Sequence, residues 1–264
     1  MPVRLATKAD IPVMAKIFAA CFSPDPLFRI LFPHQAEHPE GFQRAAIENF
    51  QIHWYDYHKV HMVSYETTND GAEDGPDDHS HLLAQGEERE IITGIAQWER
   101  VGQGWEHIYG IWGWWDPHLL IKPLLSMYFT LRRRLSPNPS EPRPTTNDPD
   151  PLTLWNFVSR ILPFAAPFFS APDRQIRWSL EVMAVHPEYQ GNGFGRQLVQ
   201  EGLGRAKHDP EGDLPVCVVA ADGKEGFYQK CGFGDIEGYT TKAGGSENPL
   251  MRAGIGGGAV MWTI

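Results

Sequence analysis

The residues best suited to chemistry lie in the stretch 178–199, which reads WSLEVMAVHPEYQGNGFGRQLV. An apolar run from Leu180 to Val185 predicts a strand, Pro187 opens a turn, and glycines at 191, 193 and 195 lead into an apolar periodic segment. Glycines at the start of a helix let backbone N–H groups approach an anion, and the helix dipole favours negative charge there. The stretch therefore predicts a site for a phosphate or pyrophosphate, as in a nucleotide-like cofactor.

Two common glycine motifs do not fit this loop. A phosphate-binding P-loop requires Lys and then Ser or Thr after its last glycine, whereas Gly195 is followed by Arg196 and Gln197. A dinucleotide fingerprint requires a third glycine at the position of Arg196 and further βαβ units downstream, but fewer than about 70 residues remain. Both interpretations are excluded.

A third pattern, V-x-P-x-x-[QR]-G-x-G-x-G, does fit, and it is filled by Val185, Pro187, Gln190, Gly191, Gly193 and Gly195. This pattern resembles the coenzyme A pyrophosphate loop of the GNAT superfamily of N-acetyltransferases. Residues 227–233, FYQKCGF, resemble the F-Y-x-K-x-G-F signature that follows the next strand in the same superfamily. Two motifs in this order are more specific than either alone. The alternatives are an ordinary glycine-rich turn and a helix end capped by Gly232.

The resemblance implies that acetyl-CoA is the cofactor. Its pyrophosphate would be held by residues 190–196, namely Gln190, Gly191, Asn192, Gly193, Phe194, Gly195 and Arg196. The superfamily splays its central strand from the neighbouring strand, which here would expose the main chain at Met183, Ala184 and Val185 to the thioester and pantetheine, with the N–H groups of Met183 and Val185 as donors. The sequence departs from the family at Ala221, where relatives often carry a polar Asn or Ser, so a cofactor hydrogen bond from this side chain is not expected.

Acetyl transfer to an amine requires a neutral nucleophile, stabilisation of an oxyanion and a proton for the departing thiolate. Tyr228 matches the superfamily tyrosine whose hydroxyl approaches the sulfur of coenzyme A, and a phenol with a pKa near 10 is protonated at neutral pH. Glu181 is the candidate base, because period-two alternation puts it on the strand face of Met183 and Val185. The alternatives for Glu181 are a salt bridge or a sheet-edge position, with water accepting the proton.

The sequence leaves the exact activity open. We expect an N-acetyltransferase that acts on a small-molecule or peptide amine, and the residues do not identify that acceptor. The loop is also compatible with transfer of a longer acyl chain, or with a binding module that senses coenzyme A without catalysis. Retention of Tyr228 favours the enzyme.

The amino-acid composition limits which binding partners and which cellular compartment we expect. A net charge of −10, from 33 acidic and 23 basic residues, argues against general nucleic-acid binding and is compatible with a cationic acceptor. Eleven histidines include no HExxH or paired Cys/His spacing, so no metal is expected. The absence of an apolar stretch of about 20 residues predicts no membrane span. Three cysteines without CxxC spacing predict reduced thiols and a cytoplasmic protein.

The pattern of elements predicts a single α/β domain over residues 1–264. The element order predicts a mixed sheet with helices on both faces, and the resemblance implies that this α/β fold is GNAT-like, mostly antiparallel and splayed at strands four and five. The principal expected elements are a strand at Val3–Leu5, a helix with Ile11, Met14, Ile17 and Phe18 inward, a helix at Pro39–Tyr57, strands at His61–Glu66 and Ile91–Arg100 with a bulge at Gly94, a helix at Phe194–Lys207, and strands at Val216–Ala221, Phe233–Thr241 and Ala259–Ile264.

Two segments interrupt this order. Residues 69–90 are rich in Asp, Glu, Gly and His without apolar periodicity, which predicts a disordered acidic loop. Residues 105–174 form an inserted helical segment rich in Trp and Pro, with helices expected at Leu119–Leu135 and Leu152–Phe169 and a solvated Arg132–Arg134. Its tryptophans carry more aromatic surface than a loop leaves exposed, so we expect a lid that forms the acceptor pocket with Phe22–Phe32. The alternatives are a homodimer interface or a helical layer without acceptor contact.

Overall fold

The computed structural model describes residues 2–69, 88–104 and 117–263. Seven strands lie within these ranges: β1 (Val3–Leu5), β2 (Lys59–Asn69), β3 (Glu88–Val101), β4 (Arg177–Val185), β5 (Val216–Ala220), β6 (Phe233–Tyr239) and β7 (Ala259–Thr263). They form one sheet in the order β1-β2-β3-β4-β5-β7-β6. Only β4 and β5 pair in parallel, and the other five neighbouring pairs are antiparallel. The predicted mixed, mostly antiparallel sheet is confirmed.

Eight α-helices accompany the sheet in the described ranges. They are α1 (Ile11–Phe22), α2 (Pro26–Leu31), α3 (Pro39–Trp54), α4 (Pro117–Leu135), α5 (Phe157–Ala165), α6 (Phe194–Lys207), α7 (Glu225–Lys230) and α8 (Pro249–Arg252). The parallel pair β4 and β5 needs a crossover connection, and α6 supplies it.

The sheet is covered on both faces. On one face, α1 and α3 pack against the sheet through a core that includes the four predicted inward residues of α1, which are Ile11, Met14, Ile17 and Phe18. On the other face, α6 packs through Leu198 and Val199, both 0% exposed, and α7 contributes Tyr228 to the same core. Helices thus pack against both faces of the central strands.

The approach of α6 to the sheet depends on one glycine. A Cβ atom built at Gly202 would lie 2.0 Å from Cε2 of Trp98, a β3 residue that is 0% exposed. No larger residue fits without displacing the indole ring, because protein cores are packed at crystal-like density.

A buried ion pair fixes the start of β4. Arg100 in β3 donates from Nε to Asp209 at 2.8 Å, and both side chains are 0% exposed. The indole Nε1 of Trp178 in β4 donates to the same carboxylate at 2.9 Å. Burial raises the pKa of Asp209, but the hydrogen bonds from Arg100, the Glu211 N–H and Trp178 outweigh this and hold that pKa below its usual value.

Several expected boundaries are corrected. Strands β2 and β3 pair as far as Asn69 and Glu88, so the polar ends of the expected loop 69–90 belong to the sheet, because backbone pairing does not require apolar side chains. The bulge expected at Gly94 has Thr93 as its extra residue, since Ser64 pairs with Gly94 and Tyr65 with Ile92. The rest of the acidic loop, residues 70–87, lies outside the described residues.

The inserted segment contains the two expected helices with changed limits. The first begins at Pro117, and the second begins at Phe157 rather than Leu152. The later start follows from a turn in which Thr153 N–H donates to Asn156 Oδ1 at 2.7 Å and Asn156 N–H donates to Thr153 Oγ1 at 3.3 Å. In the part of the chain that the structure describes, no helix combines the length and apolar character needed to cross a membrane.

Two glycines of α6 should respond oppositely to the same substitution. Gly202→Ala forces the new methyl group into Trp98 and should destabilise the fold by about 1–3 kcal/mol. Gly204→Ala meets nothing within 4 Å and should stabilise the fold by about 0.5–1 kcal/mol through helix propensity. Urea unfolding of the two variants beside the unsubstituted chain measures both changes. Equal changes in the free energy of unfolding would contradict the close packing of Gly202 against Trp98.

Candidate active site

The site begins where β4 and β5 separate. Their parallel pairing runs from Trp178 with Val216 to Leu180 with Val218 and ends there, although β4 continues to Val185. The carboxyl-terminal half of β4 therefore has β3 on one side and a gap on the other. The divergence expected at strands four and five is present.

A bulge in β4 marks the point of divergence. Against β3, Leu180 pairs with Trp98 and Val182 pairs with Gln97, so Glu181 is the extra residue. This bulge interrupts the two-residue alternation from which a shared face for Glu181, Met183 and Val185 was expected, so the shared face stays a prediction. A bulge also bends and twists a strand, which accounts for the separation beginning here.

The bulge determines where the amides of β4 point. His186 N–H donates to Thr93 O at 2.8 Å, so this residue hydrogen-bonds toward β3. In an antiparallel pair the direction alternates, which turns Ala184 toward β3 and Met183 and Val185 away from it. The N–H groups of Met183 and Val185 therefore face the gap left by β5.

The glycine loop follows directly on β4. Gln190 Nε2 donates to Val185 O at 2.9 Å and ties the loop back to the strand. Gly191 has φ +83° and Gly193, the N-cap of α6, has φ +87°, a region that favours glycine. A Cβ atom at either position would meet nothing within 4 Å, so both glycines border open space. The loop is thus an open backbone cradle at a helix N-terminus, which suits an anion.

A cavity of about 870 Å³ joins these features. Both predicted catalytic residues and every predicted cofactor-binding residue line it: Glu181, Met183, Ala184, Val185, Gln190, Gly191, Asn192, Gly193, Phe194, Gly195, Arg196 and Tyr228. Ala221, where a polar residue is usual in the family, also lines it. Motifs about 30 residues apart in the chain thus border one space.

The lining also contains residues that the sequence did not identify as site residues. Cys21 and Asp25 come from the end of α1 and the start of α2, and Lys224 precedes α7. The Cys21 thiol donates to Val185 O at 3.1 Å, and burial raises its pKa to about 11. Lys224 stands three residues before the FYQKCGF motif, which is the only local signal for it. Cys21 reaches the cavity by tertiary packing alone, whereas Asp25 lies within the segment Phe22–Phe32 that was expected to border the acceptor pocket.

Tyr228 occupies an apolar pocket in the cavity wall. It is 8% exposed, and its ring makes edge contacts with Phe227 and Phe233 at centroid distances of 5.1 and 5.7 Å. Burial, with a smaller contribution from Cys231, raises the pKa of its hydroxyl. The phenol is therefore protonated at neutral pH and serves as a hydrogen-bond donor.

Glu181 is exposed at the bulge. Its Oε1 accepts a hydrogen bond from Ser179 Oγ at 2.6 Å, which orients the carboxylate within β4. In the described ranges it forms no ion pair within 4.0 Å, so the salt-bridge alternative finds no partner there. A solvated, oriented carboxylate beside the gap can accept a proton.

The described part of the inserted segment does not border this cavity. None of its described residues, 117–174, lines it, whereas Phe22 from the expected pocket wall does. Trp155 instead packs against the α1 and α3 core, with its Nε1 donating to Glu141 at 2.8 Å. Trp105, Trp112, Trp114 and Trp115 lie outside the described residues, so the lid stays a prediction for them.

The comparisons with known proteins agree with this geometry. Residues 164–234 match the family model described as the acetyltransferase (GNAT) domain. Among solved structures, a histone acetyltransferase HPA2 and related acetyltransferase from Corynebacterium glutamicum is 18% identical, with a TM-score of 0.51 over 99% of this chain and 94% of that chain. A GNAT family acetyltransferase from Brucella melitensis in complex with acetyl-CoA is 12% identical, with a TM-score of 0.39 over 89% and 82% of the two chains.

No protein of curated function matches the chain. The matched region contains β4, the glycine loop, α6, β5 and α7, which are the elements that build the cavity. The likeness to the Corynebacterium structure concerns the fold. Residues 164–234 thus resemble the acetyltransferase (GNAT) domain in sequence, and the chain shares the fold of the Corynebacterium structure.

Proposed function

We propose that the protein transfers an acetyl group from acetyl-CoA to a primary amine by direct attack. One observation carries the proposal: the glycine loop, the freed amides of Met183 and Val185, and the hydroxyl-bearing Tyr228 border a single cavity. An anion cradle, an oxyanion site and a proton donor are the groups that thioester aminolysis requires.

The glycine loop and β4 bind different parts of acetyl-CoA. The N–H groups of residues 191–196 hold the pyrophosphate at the start of α6, with the Arg196 side chain adding positive charge. The N–H groups of Met183 and Val185 bind the pantetheine arm and the thioester carbonyl. Fixed donors at the carbonyl stabilise the oxyanion that forms when the amine attacks.

The proton transfers follow from the two candidate residues. An amine arrives as an ammonium ion, which the carboxylates of Asp25 and Glu181 in the cavity wall favour. Glu181 accepts its proton, directly or through water. The free amine then attacks the thioester carbonyl to form the C–N bond and the oxyanion, and the C–S bond breaks when this tetrahedral intermediate collapses. The Tyr228 hydroxyl donates to the departing thiolate, and the second proton of the amine nitrogen passes to water. Because burial raises the pKa of Tyr228, hydrogen bonding to the sulfur contributes more than complete proton release.

The glycine loop gives a direct test of cofactor binding. Gly193→Asp places a charged side chain in the open space of the cradle and should abolish acetyl-CoA binding in isothermal calorimetry while the fold survives. Gly254→Asp is the matched control, because Gly254 also has positive φ, +68°, and open space at its Cβ but lies outside the cavity. Unchanged affinity in a folded Gly193→Asp variant would remove the loop from the site.

Tyr228→Phe tests the proton donor. The substitution keeps the buried ring and removes the hydroxyl, so turnover with a panel of amines should fall by roughly 10²-fold or more with little change in acetyl-CoA affinity. Tyr189→Phe, which makes the same change on another ring of the cavity wall, should be nearly silent. A full rate in Tyr228→Phe excludes this hydroxyl from the mechanism. Binding of acetyl-CoA without transfer to any amine in the unsubstituted protein would favour the sensor alternative.

Glu181→Gln tests the base. The amide oxygen can still accept from Ser179, so the strand geometry should persist while the proton acceptor is lost. If Glu181 is the base, the rate loss should be large below the pKa of the acceptor amine and should shrink as pH rises through it, because free amine then needs no deprotonation. Glu188→Gln, at an exposed position on the turn before the loop, is the control. A rate loss equal at every pH would assign Glu181 an electrostatic role and the proton to water.

A further inference from the structure

The helix α4 of the inserted segment presents an apolar stripe to solvent. Six large side chains, each at least 56% exposed, form it: Leu120, Leu124, Met127, Tyr128, Leu131 and Leu135. Successive residues of an α-helix are rotated by about 100° around its axis. The six side chains therefore lie within an arc of roughly 100° around α4, which is the width of a helix surface that faces a core. A soluble protein rarely exposes so continuous an apolar face without a partner for it.

The opposite face of α4 packs against the rest of the fold. Phe129 is 4% exposed, Lys122 pairs with Asp56 at 2.6 Å, and Arg133 pairs with Glu48 at 3.2 Å. Arg132 also lies 3.6 Å from Glu48. Arg132 and Arg134 are exposed, as expected for a solvated cluster, whereas Arg133 is half-buried. These contacts fix the rotation of α4 about its axis, so the exposed stripe cannot turn inward.

The order of residues in the stripe is symmetric. Its midpoint lies between Met127 and Tyr128, with leucines three positions outward, Leu124 and Leu131, and seven positions outward, Leu120 and Leu135. Two copies of α4 packed antiparallel about a two-fold axis at this midpoint would place each leucine against its symmetric counterpart. Such self-complementarity is the defining property of a two-fold interface, in which residue i meets j and j meets i.

We propose that the α4 stripe is a homodimer interface, in which two chains pack these helices antiparallel. Roughly 100 Å² from each of the six side chains buries about 1,200 Å² in total, at the lower end of specific protein interfaces. Charge argues against an anionic membrane surface as the occupant of the stripe. The chain carries a net charge of −10, and the guanidinium groups of Arg132 and Arg133 are engaged by Glu48. The role of α4 is then assembly.

Sedimentation equilibrium of the full chain at micromolar concentrations tests the proposal. The unsubstituted protein should approach twice its chain mass of 29.8 kDa. Leu124→Glu and Leu131→Lys should each shift it to the monomer, because each buries an unpaired charge in the interface. Val158→Glu on α5, a position 69% exposed outside the stripe, should leave the dimer intact. Circular dichroism checks that every variant is folded, and all substituted side chains are exposed.

The register of the interface has its own test. In the proposed dimer Leu124 of one copy faces Leu131 of the other, so the double variant Leu124→Glu/Leu131→Lys should recover the dimer through two interchain ion pairs. These positions are seven residues apart, too far for the pairing that residues three or four apart make within a helix. The mismatched Leu124→Glu/Leu135→Lys should stay monomeric. A monomeric unsubstituted chain, binding of the monomer to vesicles of anionic lipid through the stripe, or equal behaviour of the two double variants would overturn the proposal.

Discussion

The separation of β4 from β5 after Leu180 is the constraint on which the site depends. At one end the two strands are locked, because Arg100, Asp209 and Trp178 form a buried hydrogen-bonded group beside the first pairs. At the other end the bulge at Glu181 changes the direction of β4. A strand held at its start and bent at its middle turns amides toward a cleft instead of a neighbouring strand, and backbone amides need a ligand or water where no strand pairs with them. The architecture therefore requires something polar in this gap.

The features that the sequence could predict are those set by residues close together in the chain. The positive φ of Gly191 and Gly193 and the limits of α6, Phe194–Lys207, depend on residues close together in the sequence, and α6 has the limits that the sequence predicts. The bulge at Glu181 could not be predicted, because it arises from the register between β4 and β3, which are far apart in sequence. Cys21 joins the cavity through the packing of α1 against the sheet. Such contacts leave no periodic signal in the chain.

The net charge of −10 says little about the cavity itself. Its lining carries both signs, with Arg196 and Lys224 as cations and Asp25 and Glu181 as anions. The glycine loop adds backbone N–H groups that act as fixed partial positive charges at the start of α6. The cavity wall therefore offers attractive charges both to an anionic cofactor and to a cationic acceptor. Local fields of this kind, rather than total charge, select ligands at a site.

The position of β7 between β5 and β6 sets the order in which the sheet can assemble. Strand β6 precedes β7 in the chain, yet it joins the sheet only through β7, with Ile236 opposite Met261. On the ribosome, β6 would emerge with no neighbour to pair with, and the apolar edge of β5 would stay uncovered until β7 follows. Completion of this half of the sheet thus waits for late synthesis, and pairing of distant segments is slow. During that interval β5 and β6 both have unpaired edges, and such edges are the parts of a sheet that pair most readily with other chains.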